Sequence, residues 1–483
     1  MSRAWTGTHS TVRRVTALPM APGPEPGERV FLHPAGRLGR FSWALFDWAA
    51  QPFFTLITTF LFAPYFVAGF VGDPVRGQTL WGYGQAAAGL AIALLAPVLG
   101  AIADRSGGRK PWIAVFSVCA VLGCWPLWYA DPSNGATVLA ILAALALAQI
   151  GVEFATVFTN AMLPGIALPG KIGRLGGFGW ALGYVGGLIS LVIILGGFAV
   201  DPETGLTLLG LEPAAFAGIA EAGARLTGPF SAAWYVLFVL PLFLFTPDLA
   251  PRGLGTARAV REGLASIGAT VRSLTRRSNV ARFLLARMIY QDGLTALFAF
   301  GGIYAAGVFG WTTTTLGIFG IVLSVFAAVG ALAGGPLDDR FGSKAVCMAS
   351  VAGLALAGLA ALSVDRTHVL FVIEVAWAED ARGLFARPAE QAYLACAIAI
   401  GIFAGPAQAA SRTLLARISP EPRMTEYFGL FALSGKATAF LAPLMIALAT
   451  AASGGQRAGL LVVVVFLTAG LLLLLPVRER REG

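Results

Sequence analysis

Long apolar stretches recur along this chain, and their length constrains its fold more than any other feature. The hydrocarbon core of a bilayer is about 30 Å thick, so a helix that crosses it needs roughly 20 apolar residues. Twelve stretches meet that requirement: 42–68, 79–103, 112–130, 136–160, 176–199, 231–248, 283–308, 313–336, 345–363, 391–411, 427–451 and 458–476. Only helices and closed barrels satisfy their own amides in lipid, so this length predicts an all-α membrane protein.

Composition supports the membrane class and argues against an enzyme. Charged residues make up 12% of the chain, against about a quarter in soluble proteins. There is no HExxH or GxSxG motif, and "GLFALSGKAT" has five residues between its glycines where a P-loop has four. The 4 cysteines form no CxxC pair, and the 3 histidines lie outside the spans. We therefore predict no catalytic residues, no metal and no cofactor other than a coupling proton.

The distribution of positive charge predicts the orientation. If the N-terminus is cytoplasmic, the tails and the even-numbered connections carry most of the 34 Lys and Arg residues. Cytoplasmic loops are enriched in these residues, so both termini are predicted to be cytoplasmic. The net charge of +9 is then a consequence of topology, and we predict no nucleic-acid partner.

The longest basic connection divides the spans six and six. It is predicted to hold an amphipathic helix at the membrane surface. The resulting organisation has five parts: a mobile cytoplasmic tail at 1–37, a six-helix bundle at 38–248, a cytoplasmic linker at 249–282, a second bundle at 283–476 and a tail at 477–483. Two other connections are long, 201–230 and 364–390. The second contains "VLFVIEV", which suits either a strand or an interfacial segment.

A loop motif occurs once in each half. "GAIADRSGGRKPW" follows the second span and "GPLDDRFGSKAV" follows the eighth, and both read G-x-x-x-D-R-x-G before a basic residue. The glycine permits a neighbouring helix to approach, the carboxylate can face a helix N-terminus, and the basic residues can bond across the bundle interface. Duplication favours a conformational latch over a turn that only fixes topology. The latch candidates are Gly100, Asp104, Arg105, Gly107, Arg109, Gly335, Asp339, Arg340, Gly342 and Lys344.

With this repeat, the chain resembles the major facilitator superfamily. "WALFDWAAQPF", "LLARMIYQDGLTALFAFGGIYAAGVFG", "GPAQAASRTLLARISP" and "EYFGLFALSGKATAFLAPL" are similar to the vacuolar amino-acid effluxer family of yeast autophagy and its bacterial relatives. The resemblance implies two pseudo-symmetric six-helix bundles around a cavity lined by the first, fourth, seventh and tenth spans. It also implies alternating access by rocking of the two halves.

Charged residues inside the spans are the candidate binding residues, because each costs roughly 2.5–3.5 kcal/mol at the bilayer centre. Asp292 and Lys436 are predicted to lie near the midplane with opposite signs. They suit contact with a zwitterionic substrate, relay of a coupling proton, or a structural ion pair. Burial favours a protonated carboxyl group, although a neighbouring Lys opposes this. The full set of substrate or ion-binding candidates is Asp292, Lys436, Asp47, Glu153, Arg287, Tyr290, Gln291 and Gln408.

The sequence thus predicts a secondary transporter, multi-pass in a bacterial inner membrane, that exports amino acids or similar small polar solutes. The alternatives are a multidrug or metabolite exporter and a non-transporting sensor of the same fold. Gly179, Gly183 and Gly187 recur every four residues in the fifth span, as in closely packed helices. We expect them to pack within a monomer, or to slide between the halves, in preference to forming a dimer.

Overall fold

The computed structural model describes residues 35–72, 74–200, 206–207, 209–212, 219, 221–249, 261, 278–311, 313–378, 383–435, 437–439, 441–453 and 456–479. Twelve helical spans, numbered here in chain order, account for most of these residues. Spans 1 to 6 are Arg37–Pro52 with its continuation Phe53–Phe60, Phe62–Pro64 and Tyr65–Phe70; Pro74–Ser106; Lys110–Cys124 continued by Trp125–Tyr129; Val138–Asn160 preceded by Gly135–Thr137; Ile172–Gly197; and Ala222–Phe245. Spans 7 to 12 are Ser278–Phe309; Thr313–Phe341; Ser343–Leu362; Pro388–Ile418; Met424–Ser434 with Leu441–Ser453; and Gln456–Leu474. Short helices Leu163–Ile166 and Glu421–Arg423 precede spans 5 and 11.

Most of these spans are apolar enough to cross a bilayer. Within the described ranges, 9 helical runs pass tests of length and hydropathy, and span 2 adds another if its two parts, which meet at 41°, count as one. The remaining two are span 7, which carries Arg287 and Asp292, and span 11, in which turn residues that include 435 and 437–439 lie between the two helices.

The spans pack into two halves, each with its own apolar core. One core cluster draws its residues from 43 to 242, and the other draws all but Val157 and Ala161 from 280 to 477. Glycines set the closest approaches inside each half. A Cβ atom on Gly123 would lie 2.3 Å from the backbone nitrogen of Ala148, and one on Gly405 would lie 2.1 Å from the carbonyl oxygen of Ala327. Such backbone contact is typical of helices that associate without a hydrophobic driving force.

The halves meet along two helix pairs. Span 2 packs on the first helix of span 11, and span 5 packs on span 8. A Cβ on Gly177 would lie 2.5 Å from the Ala331 carbonyl oxygen, so spans 5 and 8 touch backbone to backbone. The two copies of the loop motif lie at one end of the molecule, which we call the motif end.

Span 6 begins earlier than the sequence predicts. It starts at Ala222 in place of residue 231, and it includes Pro229. Glycine and proline in this stretch indicated a loop, but neighbouring helices in a membrane protein can support a helix that contains proline. Arg225 anchors the first turn, donating to the Trp128 carbonyl at 2.8 Å and pairing with Asp131 at 3.1 Å.

The connection after span 9 contains a hairpin. Strand β1 (His368–Val369) pairs antiparallel with strand β2 (Ile373–Glu374), and His368 lies opposite Glu374. Of the two alternatives for "VLFVIEV", the structure therefore supports the strand. The tail predicted at 1–37 and the linker predicted at 249–282 fall outside the described residues, apart from 35–37, 249, 261 and 278–282.

Candidate functional site

Asp104, from the first copy of the motif, caps a helix of the opposite half. Its Oδ1 accepts a hydrogen bond from the backbone of Thr425 at 3.2 Å, and its Oδ2 accepts one from Glu426 at 3.1 Å. Both amides belong to the first turn of the helix Met424–Ser434. The first amides of a helix have no partner within it, and the N-terminal end of the helix dipole favours a negative charge. Asp104 thus joins span 2 to span 11.

Asp339, from the second copy, makes the equivalent contact. Its Oδ1 accepts a bond from the Gly173 amide at 2.8 Å, and its Oδ2 accepts one from the Arg174 amide at 3.2 Å. These amides begin span 5, which runs Ile172–Gly197. The Arg174 side chain adds an ion pair of 3.4 Å to the same carboxylate. The two repeated carboxylates therefore hold the halves together by the same geometry at two places.

Glycines of the motif leave room for these contacts. A Cβ on Gly100 would lie 2.7 Å from the Thr425 carbonyl oxygen, and one on Gly335 would lie 3.0 Å from the Arg174 Cα. Gly107 and Gly342 have φ angles of 99° and 94°, which side chains rarely tolerate, and these angles turn the chain into the next span. Two of these glycines are therefore required by the close approach of backbone from the other half, and two by a positive φ angle.

We expect Gly100→Val to disfavour contact between the halves at the motif end. The added atoms would meet backbone that cannot move aside, at a cost of about 1–3 kcal/mol, or roughly 5- to 150-fold in the ratio of closed to open protein. Labelling of a single cysteine at the buried Thr425 by a water-soluble maleimide would measure this ratio. Gly89→Val is the matched control, because Gly89 lies in the same helix with no atom within 4 Å of its added Cβ. Equal labelling of the two variants would contradict the steric role of Gly100.

Two basic residues of the motif, Arg109 and Lys344, bond within their own halves and not across the interface as expected. Arg109, which is buried, pairs with Asp104 of its own half at 3.1 Å. Lys344 donates to the Leu475 carbonyl at 2.8 Å, also within its own half. The Arg340 guanidinium lies 5.2 Å from the ring of its neighbour Phe341, and Arg105 occupies the last turn of span 2.

A second pair of repeated carboxylates caps helices within each half. Asp248 accepts bonds from the Arg109 and Lys110 amides at 2.9 and 3.0 Å, where span 3 begins. Glu479 accepts bonds from the Ser343 and Lys344 amides, both at 2.9 Å, where span 9 begins. This pair of carboxylates was not predicted from the sequence. Its only signal is an acidic residue shortly after the last apolar stretch of each half.

Arg412, in span 10, forms a second contact layer between the halves. Its Nη1 lies 3.0 Å from Asp47 Oδ2 and 3.0 Å from Asn160 Oδ1, and its Nη2 donates to the Gly176 carbonyl at 2.6 Å. These partners lie in spans 1, 4 and 5, so among the described residues the hydrogen bonds of this guanidinium all go to the N-terminal half. The sequence predicted Asp47 and missed Arg412, because this residue lies just past the predicted span 391–411.

Aromatic rings and a glycine complete the surroundings of this ion pair. The guanidinium carbon lies 5.2 Å from the Trp43 ring centroid and 5.7 Å from that of Trp180. A Cβ on Gly179 would lie 2.6 Å from Asp47 Oδ2. Gly183 and Gly187 continue against Gln51 and other residues of span 1, so the glycine stripe packs within the monomer.

Asp292 lies in span 7 beside the interruption of span 11. Its side chain is buried, and Oδ2 has no hydrogen-bond partner among the described residues. Arg287 and Thr438 are polar neighbours. Arg287 donates to the Phe431 carbonyl at 2.7 Å and to Ser434 Oγ at 2.8 Å, where the first helix of span 11 ends. Its guanidinium also lies 3.4 Å from the Phe431 ring centroid. Lys436, the predicted partner of Asp292, lies outside the described residues.

The other candidates lie in different surroundings. Glu153, half-buried in span 4, is close enough to Arg287 to interact with its charge. Gln408 donates to the Tyr184 hydroxyl at 2.7 Å and thereby links span 10 to span 5. Gln291 is exposed. Tyr290 lies in the core of the C-terminal half, where its hydroxyl bonds Ser411 Oγ at 2.7 Å.

Comparison with known proteins identifies the family. A family model described as "Vacuole effluxer Atg22 like" matches residues 66–482. The chain belongs to this family. A relative in Bacillus subtilis strain 168, the uncharacterized MFS-type transporter YxiO, is 22% identical over 91% of this chain and 94% of its own length. Autophagy-related protein 22 of Cryptococcus neoformans is 26% identical over 64% of this chain, a match that spans only 52% of that relative.

Solved structures agree with the fold of this Atg22-like protein. The human organic anion transporter MFSD10 aligns with a TM-score of 0.63 at 15% identity, over 91% of this chain and 100% of its own. The Escherichia coli fucose:proton symporter FucP aligns with a TM-score of 0.58 at 16% identity, over 90% and 95%. The protein is thus a multi-pass secondary transporter of the major facilitator superfamily and not an enzyme. The predicted all-α class and twelve-helix fold are confirmed.

Proposed function

We propose that this protein exports amino acids or similar small zwitterionic solutes by alternating access. The observation that carries the proposal is the buried carboxylate of Asp292, one oxygen of which has no hydrogen-bond partner among the described residues, beside an interrupted span 11. Transporters place substrate and ion sites at such interruptions, where helix ends leave backbone groups unpaired. The family description as an effluxer supports the outward direction.

Charges of both signs at this place suit a zwitterion. The Asp292 carboxylate matches a substrate ammonium group, and Arg287 supplies a positive charge on the same span. Lys436 is the candidate partner for the substrate carboxylate, as its sequence position between the two helices of span 11 suggests. We also propose that Asp292 carries the coupling proton, because a buried carboxyl group is stable in its neutral form.

The contacts at the motif end would close one side of the transporter during alternating access. We propose that Asp104 and Asp339 latch the protein closed at this end, and that the two bonded helix N-termini separate when it opens. The Lys and Arg distribution supports a cytoplasmic motif end with both termini on that side. We place the protein, as a monomer, in a bacterial inner membrane.

Uptake into liposomes, driven by a pH gradient, tests the proposed activity. Purified protein would be reconstituted with an imposed pH gradient and assayed with a panel of labelled amino acids. Accumulation of any of them, abolished by collapsing the gradient, is the expected result. Movement of hydrophobic cations without amino acids would favour a drug exporter, and binding without flux would favour a sensor.

Single-cysteine labelling tests the orientation. Asn134 and Lys171 are exposed at opposite ends of span 4 and its following loop. A membrane-impermeant maleimide added to intact cells is expected to label a cysteine at residue 134 and not one at residue 171. The reverse pattern would contradict a cytoplasmic motif end.

A further inference from the structure

Arg412 has no partner in its own half among the described residues, although it is almost fully buried. Its side chain is 2% exposed, and its hydrogen bonds go to Asp47, Asn160 and Gly176. Each of these lies in the N-terminal half. The bonds therefore exist only while the halves touch at the motif end.

Opening of the motif end would remove all three partners at once. A guanidinium stays charged at any physiological pH, and breaking a buried ion pair leaves an uncompensated charge. The open state consequently requires another acceptor for Arg412. Water can accept some of the hydrogen bonds that Arg412 loses. An anion in the plane of the guanidinium replaces the lost carboxylate more completely, because two parallel bonds can form.

We infer that Arg412 is a second site for a carboxylate of the transported solute, besides the Lys436 position proposed above. The carboxylate occupies this second site when the motif end is open, and Asp47 displaces it as the halves close. The inference rests on the alternating access proposed above. It assigns the substrate to the class of carboxylates, whether zwitterions or simple anions. Exchange of one carboxylate for another keeps the cation paired in both states.

The exposure of the two side chains supports this order of events. Asp47 is 18% exposed, against 2% for Arg412, so Asp47 is the member of the pair that water can reach. Gly179 adds no side chain beside the Asp47 oxygen. The rings of Trp43 and Trp180 face the guanidinium, and aromatic faces stabilise a cation that has lost water.

A labelling experiment separates substrate binding from a structural lock. The reporter is Thr425→Cys in the full chain with the four native cysteines replaced. The native Thr425 is 0% exposed and lies at the contact between the halves, so its labelling by maleimide measures opening. The probes are propionate, which carries only a carboxylate, and alanine amide, which lacks one. Ser350→Cys, in the core of the C-terminal half, is the control for unfolding, because Ser350 is 3% exposed there.

Propionate is expected to increase labelling of the reporter, and alanine amide to leave it unchanged. Asp47→Asn should raise the unliganded rate and lower the half-saturating propionate concentration by about tenfold or more, since a competing charge is removed. In the Arg412→Gln variant the reporter should label quickly, and propionate should not change its labelling rate. In Arg412→Lys, propionate should increase labelling less than it does with the native residue. Labelling at the Ser350 position should stay low throughout.

Two outcomes would contradict the inference, and they can be told apart by whether alternating access still stands. If Asp47→Asn raises labelling while propionate changes nothing in any variant, the pair is only a lock; the inference fails and alternating access stands. If labelling is the same in every variant and condition, the halves do not separate at the motif end. That result would overturn the proposed function together with the inference.

Discussion

Replacing Asp104 and Asp339 together by Asn is expected to shift this protein toward the state open at the motif end by about 30-fold. Each carboxylate accepts two amide bonds at a helix N-terminus of the opposite half. Loss of such a cap costs about 1 kcal/mol, so two caps contribute about 2 kcal/mol to the closed state alone. Each single variant should give about a fivefold shift, because the two sites are far apart and independent.

Maleimide labelling of the Thr425 reporter would measure this shift, and Asp248→Asn provides the control. Asp248 caps span 3 with the same type of bonds, but within one half. Its loss should reduce thermal stability without changing the balance between closed and open protein. If Asp248→Asn increases labelling as much as the double variant does, general loosening of the helices would explain the result, and the latch would be excluded.

Asp292→Asn is expected to reduce accumulation driven by a pH gradient by about 100-fold or more. The amide keeps the shape of the side chain but cannot exchange a proton. If the carboxylate serves only proton coupling, exchange of labelled for unlabelled substrate should persist, because exchange needs no net proton movement. If it also binds the substrate ammonium group, exchange should fall as well, by roughly 10- to 100-fold for a lost charge-assisted bond.

Comparing the two assays therefore assigns the role of Asp292. Asp292→Glu keeps the charge, and it should retain more driven transport than the amide in either case. Asp131→Asn, at a half-exposed position paired with Arg225, controls for the loss of a carboxylate elsewhere. Full driven transport by Asp292→Asn would contradict both roles.

The sequence predicted the number of helices well because hydrocarbon thickness sets their length. It predicted their ends less well where glycine or proline interrupts the pattern. Span 6 starts at Ala222 because the helix continues through Pro229, supported by neighbouring helices. Span 11 reads as one apolar stretch, yet two helices form, with Arg287 bonded where the first one ends. Hydropathy does not report such a contact, since it depends on a distant span.

The residues of the site also fall into two groups: those that could be predicted from the sequence and those that could not. Asp104 and Asp339 could be predicted, because duplication of the motif identified equivalent positions and a carboxylate suits a helix N-terminus. Arg412 could not, because a charge near the end of a span usually reaches the interface. Its burial follows from contact with Asp47 and Asn160, which requires the arrangement of spans 1, 4 and 10 around one point. Asp248 and Glu479 likewise become meaningful only when the third and the last span of each half are known to be adjacent.

Distances between the halves would test alternating access most directly. Lys171 and Phe341 are exposed at the motif end, and they flank the bond between the Gly173 amide and Asp339. Spin labels at these two positions, in protein reconstituted into liposomes, are expected to give a short and a long distance. The long distance should gain population in the Asp104→Asn, Asp339→Asn variant. A single short distance in both proteins, at every pH and with every solute, would contradict the account.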